Sequence, residues 1–437
     1  MNVTNLIFYL RSKIGDFTLD QQMLSKAIRL LQLGAINSVS SFSGLPNAAT
    51  SRKDELYLVE FDGIYKNDGG AWVPFVQNFS PALAWGIGTN GRLGDNTTTD
   101  RSSPVSVVGF ADWCSVSAGC IHTLAVRTNG TAWAWGSNSG NQLGDNTGAE
   151  RSSPVSVVGG FTDWCQVSAG CRHSLGVRRN GTAWAWGTNL SGQLGDSTAV
   201  TKCSAVSVVG GFSDWCQLSG GADFSLGVRQ NGSAWGWGTA TFGILGDNST
   251  VSKSSPVSVV GGFTDWCQVS AGFRHSLGVR CNGTAWGWGY NLCGRLGDGG
   301  VISRLSPVTV AGGFTDWCGV SAGGAHSLGV RQNGTAWAWG CNGSGRLGDN
   351  TTTDRSSPVS VIGGFTDWCQ VSAGNIHSLG VRTNGTAWAW GLNNSGQLGD
   401  NTKTDKSSPV SVIGGFTDWC SVSSGFCHSI AIRKLQL

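Results

Sequence analysis

The sequence predicts an all-β fold, a seven-bladed β-propeller built from four-stranded antiparallel blades, and three observations carry that expectation. The triplet Asp-Trp-Cys returns seven times at a spacing of 51 residues, at Trp113, Trp164, Trp215, Trp266, Trp317, Trp368 and Trp419. A second marker, Ala-Trp-Gly followed by Leu-Gly-Asp, keeps the same rhythm and ends at Asp95, Asp145, Asp196, Asp247, Asp298, Asp349 and Asp400. A strict period of about 50 residues means one supersecondary unit stacked on copies of itself. Third, the array opens with ALAWG at Ala82 and closes with HSIAIR at His428, each half of a hairpin that the other completes. Pairing the two shuts the ring and leaves no free sheet edge.

The elements follow in order. Residues 1–81 lack the period and read as a small α+β segment. Thr18 and Gln21 form a capping box, Leu24, Ala27, Ile28 and Leu31 follow at helical spacing, and Gly34 offers a stop, so a helix is expected over 18–33. A loop rich in Ser, Gly, Pro and Asn leads to ELYLVEF, GIYK and AWVPFV, a three-stranded meander expected over 55–76. The propeller then occupies 82–437. In the unit starting at His173, HSLGVR and TAWAWG alternate around Asn180-Gly181, which signals a type I′ hairpin, AVSVV gives a third strand and WCQLSGG a fourth.

Composition narrows the function. Of 21 Trp, 20 fall at repeat positions, so they are expected in the core rather than as sugar-stacking platforms. The net charge of +3 is spread evenly, without the clustered Lys and Arg that nucleic acid requires. No apolar run is long enough for a membrane span, and the first residues lack the charged start of a secretory signal. Of 14 Cys, seven belong to the triplet. Cys114, Cys165, Cys216, Cys267, Cys318, Cys369 and Cys420 are expected as reduced, buried, small hydrophobes, and equivalent cysteines in neighbouring units are expected too far apart to bridge. No cysteine pair has zinc-knuckle spacing, so neither metal nor other cofactor is expected.

No enzyme is expected either. All six His, at His122, His173, His275, His326, His377 and His428, share one repeat position, which Phe224 fills in the remaining copy. A catalytic histidine is needed once, beside a specific partner. Six equivalents read as packing and hydrogen bonding within each blade. The Leu-Gly-Asp aspartates read as turn residues bonding nearby backbone N–H groups. The N-G-T and N-G-S triplets match a glycosylation sequon, but hairpin chemistry accounts for them.

Comparison of the seven copies separates two faces. The N-G hairpins and the GGFTD turns, at one end of every blade, are nearly identical. At the other end the turns and longer loops differ and carry Ile121, Arg172, Leu190, Phe242, Phe273, Arg274, Tyr290, Leu292, Ile376, Leu392 and Phe426. Apolar and Arg side chains gathered on one face have the composition of a binding surface. Drift of loops after duplication is the alternative.

The pattern G-x-x-H-S-L, N-G, A-W-G and G-Q-L-G-D resembles the repeat of the regulator of chromosome condensation family, from Ala82 to about Arg433. That resemblance implies a seven-bladed propeller. The front stretch GLPNAATSRKDELYLVEFDGIYKNDGGAWV resembles segments of bacteriophage tail fibre and virion proteins, especially from phages of cyanobacteria. It implies a structural protein of the phage tail, made in the host cytoplasm, a homo-oligomer and commonly a trimer. Its partners would be other virion proteins through residues 1–81 and a host surface protein or glycan through the variable face. The alternatives are a small-GTPase or chromatin-type regulator, as the first resemblance suggests, and a secreted protein-binding propeller.

Overall fold

The computed structural model describes residues 82–433 apart from position 111, together with the backbone of four short strands before them. The helix expected over 18–33 lies outside the described residues. Leu56–Val59, Gly63–Asn67 and Trp72–Pro74 pair antiparallel in sequence order. Ile36–Val39, in the stretch read as loop, adds a parallel strand beside Leu56–Val59. Residues 80–434 form a compact unit of their own.

That unit is seven four-stranded antiparallel sheets. The first blade consists of Trp113–Ala118, His122–Arg127, Ala132–Gly136 and Arg151–Ser156. The second to sixth blades repeat it from Trp164, Trp215, Trp266, Trp317 and Trp368. The seventh joins Trp419–Ser424 and His428–Arg433 to Ala82–Gly86 and Arg101–Ser106. His428 pairs with Gly86 and Ile432 with Ala82, so the two ends of the array close the ring.

Four features differ from the sequence reading. The Asp-Trp-Cys strand is the innermost strand of the blade that follows, not the last strand of the unit that precedes it: Trp215–Gly220 pairs with Phe224–Arg229. The hairpin at Asn180-Gly181 is not type I′, because only the glycine has positive φ, at 75°. Gly181 N–H donates to Arg178 O at 2.8 Å and Arg178 N–H to Thr182 O at 3.0 Å, a type I turn closed by a left-handed glycine. A Cβ on Gly181 would also run into the Ser213 carbonyl of the next blade.

The triplet cysteines are exposed instead of buried. The pairing of the innermost strand shifts between Trp164 and Gln166, so Cys165 is the extra residue of a bulge, and with Trp164 pointing inward its neighbour must point out. Cys267 is in addition joined to Cys281. Finally, Trp133, Trp184 and their counterparts are only half-buried, each indole N–H donating to a hairpin hydroxyl, as from Trp184 Nε1 to Thr182 Oγ1 at 3.1 Å.

The core sits between blades. Leu175, Val177, Ala185 and Leu194 of the second blade bury against Trp215, Leu218 and Trp237 of the third. The same set recurs around the ring, ending with Ile430 and Ile432 against Trp113 and Trp135. No blade buries its own apolar face alone, so closure completes the core as well as the sheet.

Candidate functional site

The innermost strands converge on the ring axis, where small residues let them approach. Ala118, Ala169, Ala322 and Ala373, each followed by Gly, line a funnel whose mouth carries Cys120, Cys171, Phe273, Asn375 and Phe426. Backbone bonds link neighbouring blades there: Cys171 N–H donates to Gly221 O at 3.1 Å, Gly324 N–H to Gly374 O at 3.0 Å and Phe426 N–H to Gly119 O at 3.2 Å. Convergence also corrects the reading that equivalent cysteines cannot meet. Cys120 and Cys171, 51 residues apart, have Cα atoms 4.4 Å apart and are joined.

Around the funnel runs a ring of buried histidines. Ser174 Oγ donates to Gln142 O at 2.7 Å, so its hydrogen is committed and it accepts from His122 Nε2–H at 2.8 Å. His173 bonds Ser225 in the same way, and the series ends with His428 on Thr123. These bonds tie six of the seven blades to the next, the Phe224 blade being the exception, whereas the sequence reading placed them within a blade. The acceptor comes from the neighbour because the core itself lies between blades. Every Nδ1 is left buried without a partner. Burial lowers the pKa of His122 to about 3 and of His173 to about 4, which keeps both rings neutral. Neutral rings locked on serines have no free proton-transfer role.

The loops leaving the third strand are pinned to the same face as the funnel mouth. In every blade the residue after Ala-Trp-Gly donates its N–H to the inner turn, as Thr188 to Arg172 O at 2.8 Å and Tyr290 to Arg274 O at 2.9 Å. The Leu-Gly-Asp aspartates anchor these loops. Asp145 accepts from Thr147 N–H at 3.0 Å and from Asn138 Nδ2 at 2.9 Å, and it pairs with Arg151 at 3.0 Å.

On this face the structure exposes Arg172, Leu190, Phe242, Arg274, Leu292 and Phe426. Ile121, Phe273, Tyr290, Ile376 and Leu392 are half-buried. Phe242 and Tyr290, from adjacent blades, stack with centroids 4.4 Å apart, and the Arg295 guanidinium lies 4.9 Å from the Tyr290 ring. Arg92, Arg295 and Arg346, the residues before Leu-Gly-Asp in three copies, are buried cations that the sequence reading missed. Their signal was available, since the equivalent position holds Gln142, Gln193 and Gln397 elsewhere. Cys293, Cys341 and Asp354 lie close enough to share a metal ion, but Cys293 and Cys341 are joined to each other, which leaves one carboxylate as a ligand.

The opposite face is uniform. Arg178 pairs with Asp163 at 2.7 Å and lies 4.0 Å over the Phe161 ring, and blade after blade repeats both contacts, as Arg331 does with Asp316 and Phe314.

Comparison with known proteins places this geometry. The sequence profile of the RCC1-like domain matches residues 81–431. The ultraviolet-B receptor UVR8 of Arabidopsis thaliana is 29% identical over 341 residues, covering 75% of this chain and 76% of the receptor. The human E3 ubiquitin-protein ligase HERC2 is 28% identical over 281 residues, 61% of this chain and only 6% of the ligase. Among solved structures, human WBSCR16 superposes with a TM-score of 0.72 at 21% identity, covering 81% of this chain and all of that one. Saccharomyces cerevisiae Prp20p, described with its binding to Gsp1p and histones, gives 0.71 at 22% identity over 82% of this chain and 92% of its own.

Proposed function

The chain belongs to the RCC1-like domain family, and we propose from that premise that it is a non-catalytic protein-binding propeller whose funnel-side face recognises its partner. One observation carries the reading: the ring repeats its ion pairs and hairpins on one face and concentrates its blade-to-blade differences, with their exposed Arg and apolar side chains, on the other. The regulator-type reading is favoured by the relatives, which include a receptor and a protein described as binding Gsp1p and histones. Ligase chemistry does not transfer from HERC2, of which so small a share is matched.

The finer reading makes the chain a phage tail component, with residues 1–81 held by other virion proteins and the funnel face turned to a host surface protein or glycan. Its support is the resemblance of the front segment, while the relatives named above lend it none. Mass spectrometry of purified particles tests it, and absence of the chain from them removes it.

The face reading itself is tested by replacing Arg172, Phe242, Arg274 and Phe426 with Ser. Loss of partner binding with an unchanged melting temperature is expected. Binding that survives the substitutions overturns the assignment of the face and leaves drift as its explanation.

A further inference from the structure

The loops between the third and outer strands end in a residue that caps the start of the same loop, and its charge divides the ring. In the fifth, sixth and seventh blades this cap is an aspartate. Asp354 accepts from Asn342 N–H at 2.7 Å, Asp405 from Asn393 N–H at 2.8 Å and Asp100 from Gly88 N–H at 2.9 Å. The first blade has Glu150 at this position, which instead reaches across to the seventh blade and accepts from Asn90 Nδ2 at 2.6 Å. In the third and fourth blades Ser252 and Ser303 take over, accepting from Ala240 and Asn291 N–H at 3.3 Å, and the second blade has Thr201. The serines keep the cap and drop the charge. Four carboxylate-bearing blades are therefore contiguous, and so are the three neutral ones.

The neutral arc is also where the surface turns apolar. Leu190, Val200, Phe242, Val251, Leu292 and Ile302 are all exposed there, Leu190 to 78%. Arg172, Arg274 and Arg295 belong to the same three blades. Asp223 stands near Arg172, but among the described residues no carboxylate comes within ion-pair distance of Arg274 or Arg295. Arg295 is 5% exposed and satisfies its guanidinium on carbonyls, Nε on Leu292 O at 3.1 Å and Nη1 on Gly324 O at 3.2 Å. Burial lowers its pKa to about 10, Tyr290 works against that, and Arg274 and Arg346 add repulsion. Arg92 and Arg346, by contrast, feel Asp100 with Glu150 and Asp354 with Asp405. A buried cation short of counter-charge, beside the exposed Leu292 and the Phe242–Tyr290 pair, is complementary to an anionic and partly apolar ligand.

We infer that the arc formed by the second, third and fourth blades docks an acidic peptide segment, its carboxylate on the exposed Arg274 within the field of the buried Arg295, and an apolar side chain against Phe242, Tyr290 and Leu292. This deepens the funnel-face reading and rests on it. The carboxylate caps set the limits of the site, because they would repel such a peptide and the neutral caps do not.

The test is fluorescence anisotropy on the full chain, with a fluorescein-labelled synthetic peptide of glutamates flanking a single phenylalanine and a twin carrying glutamine in their place. The acidic peptide is expected to bind at least about ten-fold tighter than its twin. Ser252→Asp with Ser303→Asp, which restores the cap of the other blades, abolishes that preference, whereas Asn at both positions retains it. Arg295→Gln, the residue three other copies carry, weakens binding about ten-fold with the melting temperature kept. Equal binding of the two peptides, or indifference to the Asp pair, overturns the proposal. A natural partner that crosslinks through Leu190 despite such a result leaves the funnel face standing as a binding surface and removes only its acidic ligand.

Discussion

His173 Nε2 lies 3.0 Å from Ser225 Oγ, in the next blade, and the Ser225 hydroxyl donates onward to Gln193 O at 2.8 Å. The hydroxyl can therefore only accept from the ring, which fixes a neutral tautomer with the proton on Nε2 and nothing for Nδ1 to meet. Protonating Nδ1 would bury a charged donor without an acceptor.

That arrangement makes the ring acid-sensitive. Burial places His122 and His377 at about 3 and His173 at about 4, below the ordinary 6.5, and His275, His326 and His428 are lowered as well. A depressed folded-state pKa contributes stability that is complete above about pH 6.5 and declines as pH falls toward the folded values, because the unfolded chain takes up the protons first. Each His then costs about 1.4 kcal/mol per pH unit. Chemical denaturation at stepped pH is expected to show a flat plateau above pH 7 and a steep fall between about pH 6 and 4. His173→Phe, which copies the Phe224 blade, reduces the proton uptake on unfolding by one.

Closure of the ring predicts equal costs at the seam and elsewhere. Leu175 is fully buried between the second and third blades, and Ile430 is fully buried where the seventh meets the first. Truncating either to Ala removes buried methyls and leaves a cavity, at a cost of about 2–5 kcal/mol. Urea unfolding is expected to give similar losses for the two. A much smaller loss for Ile430→Ala would mean that the seam is loosely closed.

Cys267 and Cys281 tie the bulge of the fourth blade's innermost strand to its hairpin, with Cα atoms 5.2 Å apart and a separation of 14 residues. A loop of that length is worth up to about 3 kcal/mol by restricting the unfolded chain. Cys281→Gln, the residue at the matching position of the third and fifth blades, is expected to lower the melting temperature, but by less than reduction of the unaltered chain does. Reductant added to that variant then acts only through the two remaining bridges.

The ring was legible because its evidence is periodic: ALAWG and HSIAIR stand as unmatched halves, and their pairing needs no side-chain detail. Blade phase was not legible, since a repeat can be cut at any turn and the strand after the GGFTD turn could belong to either neighbour. Cys165 was misplaced because residue type predicts burial on average, whereas a bulge and an inward Trp164 decide it here. Cys120 and Cys171 were judged by repeat spacing, which overlooks how close blades come at the axis. The charge division of the rim is in the sequence too, as TTTD against STVS and GVIS. It becomes meaningful only once the loops are seen to share one face with Arg295.

The Phe224 copy offers a reciprocal experiment on the histidine ring. Ser276 Oγ donates to Ile244 O at 2.7 Å, as its counterparts do, yet it faces Phe224 and so receives no ring N–H. Phe224→His supplies that donor at a fully buried site whose neighbours already accommodate an aromatic ring. The gain of one hydrogen bond, about 1 kcal/mol, offsets the smaller apolar surface of imidazole, so stability at pH 8 is expected to change little. At pH 5 the variant should be the weaker protein, because the added ring stays neutral while folded and its unfolded counterpart takes up a proton. Denaturation curves at both pH values read the difference directly. A variant that gains stability at pH 5 would mean that the new ring is charged in the fold, and that desolvation does not govern these sites.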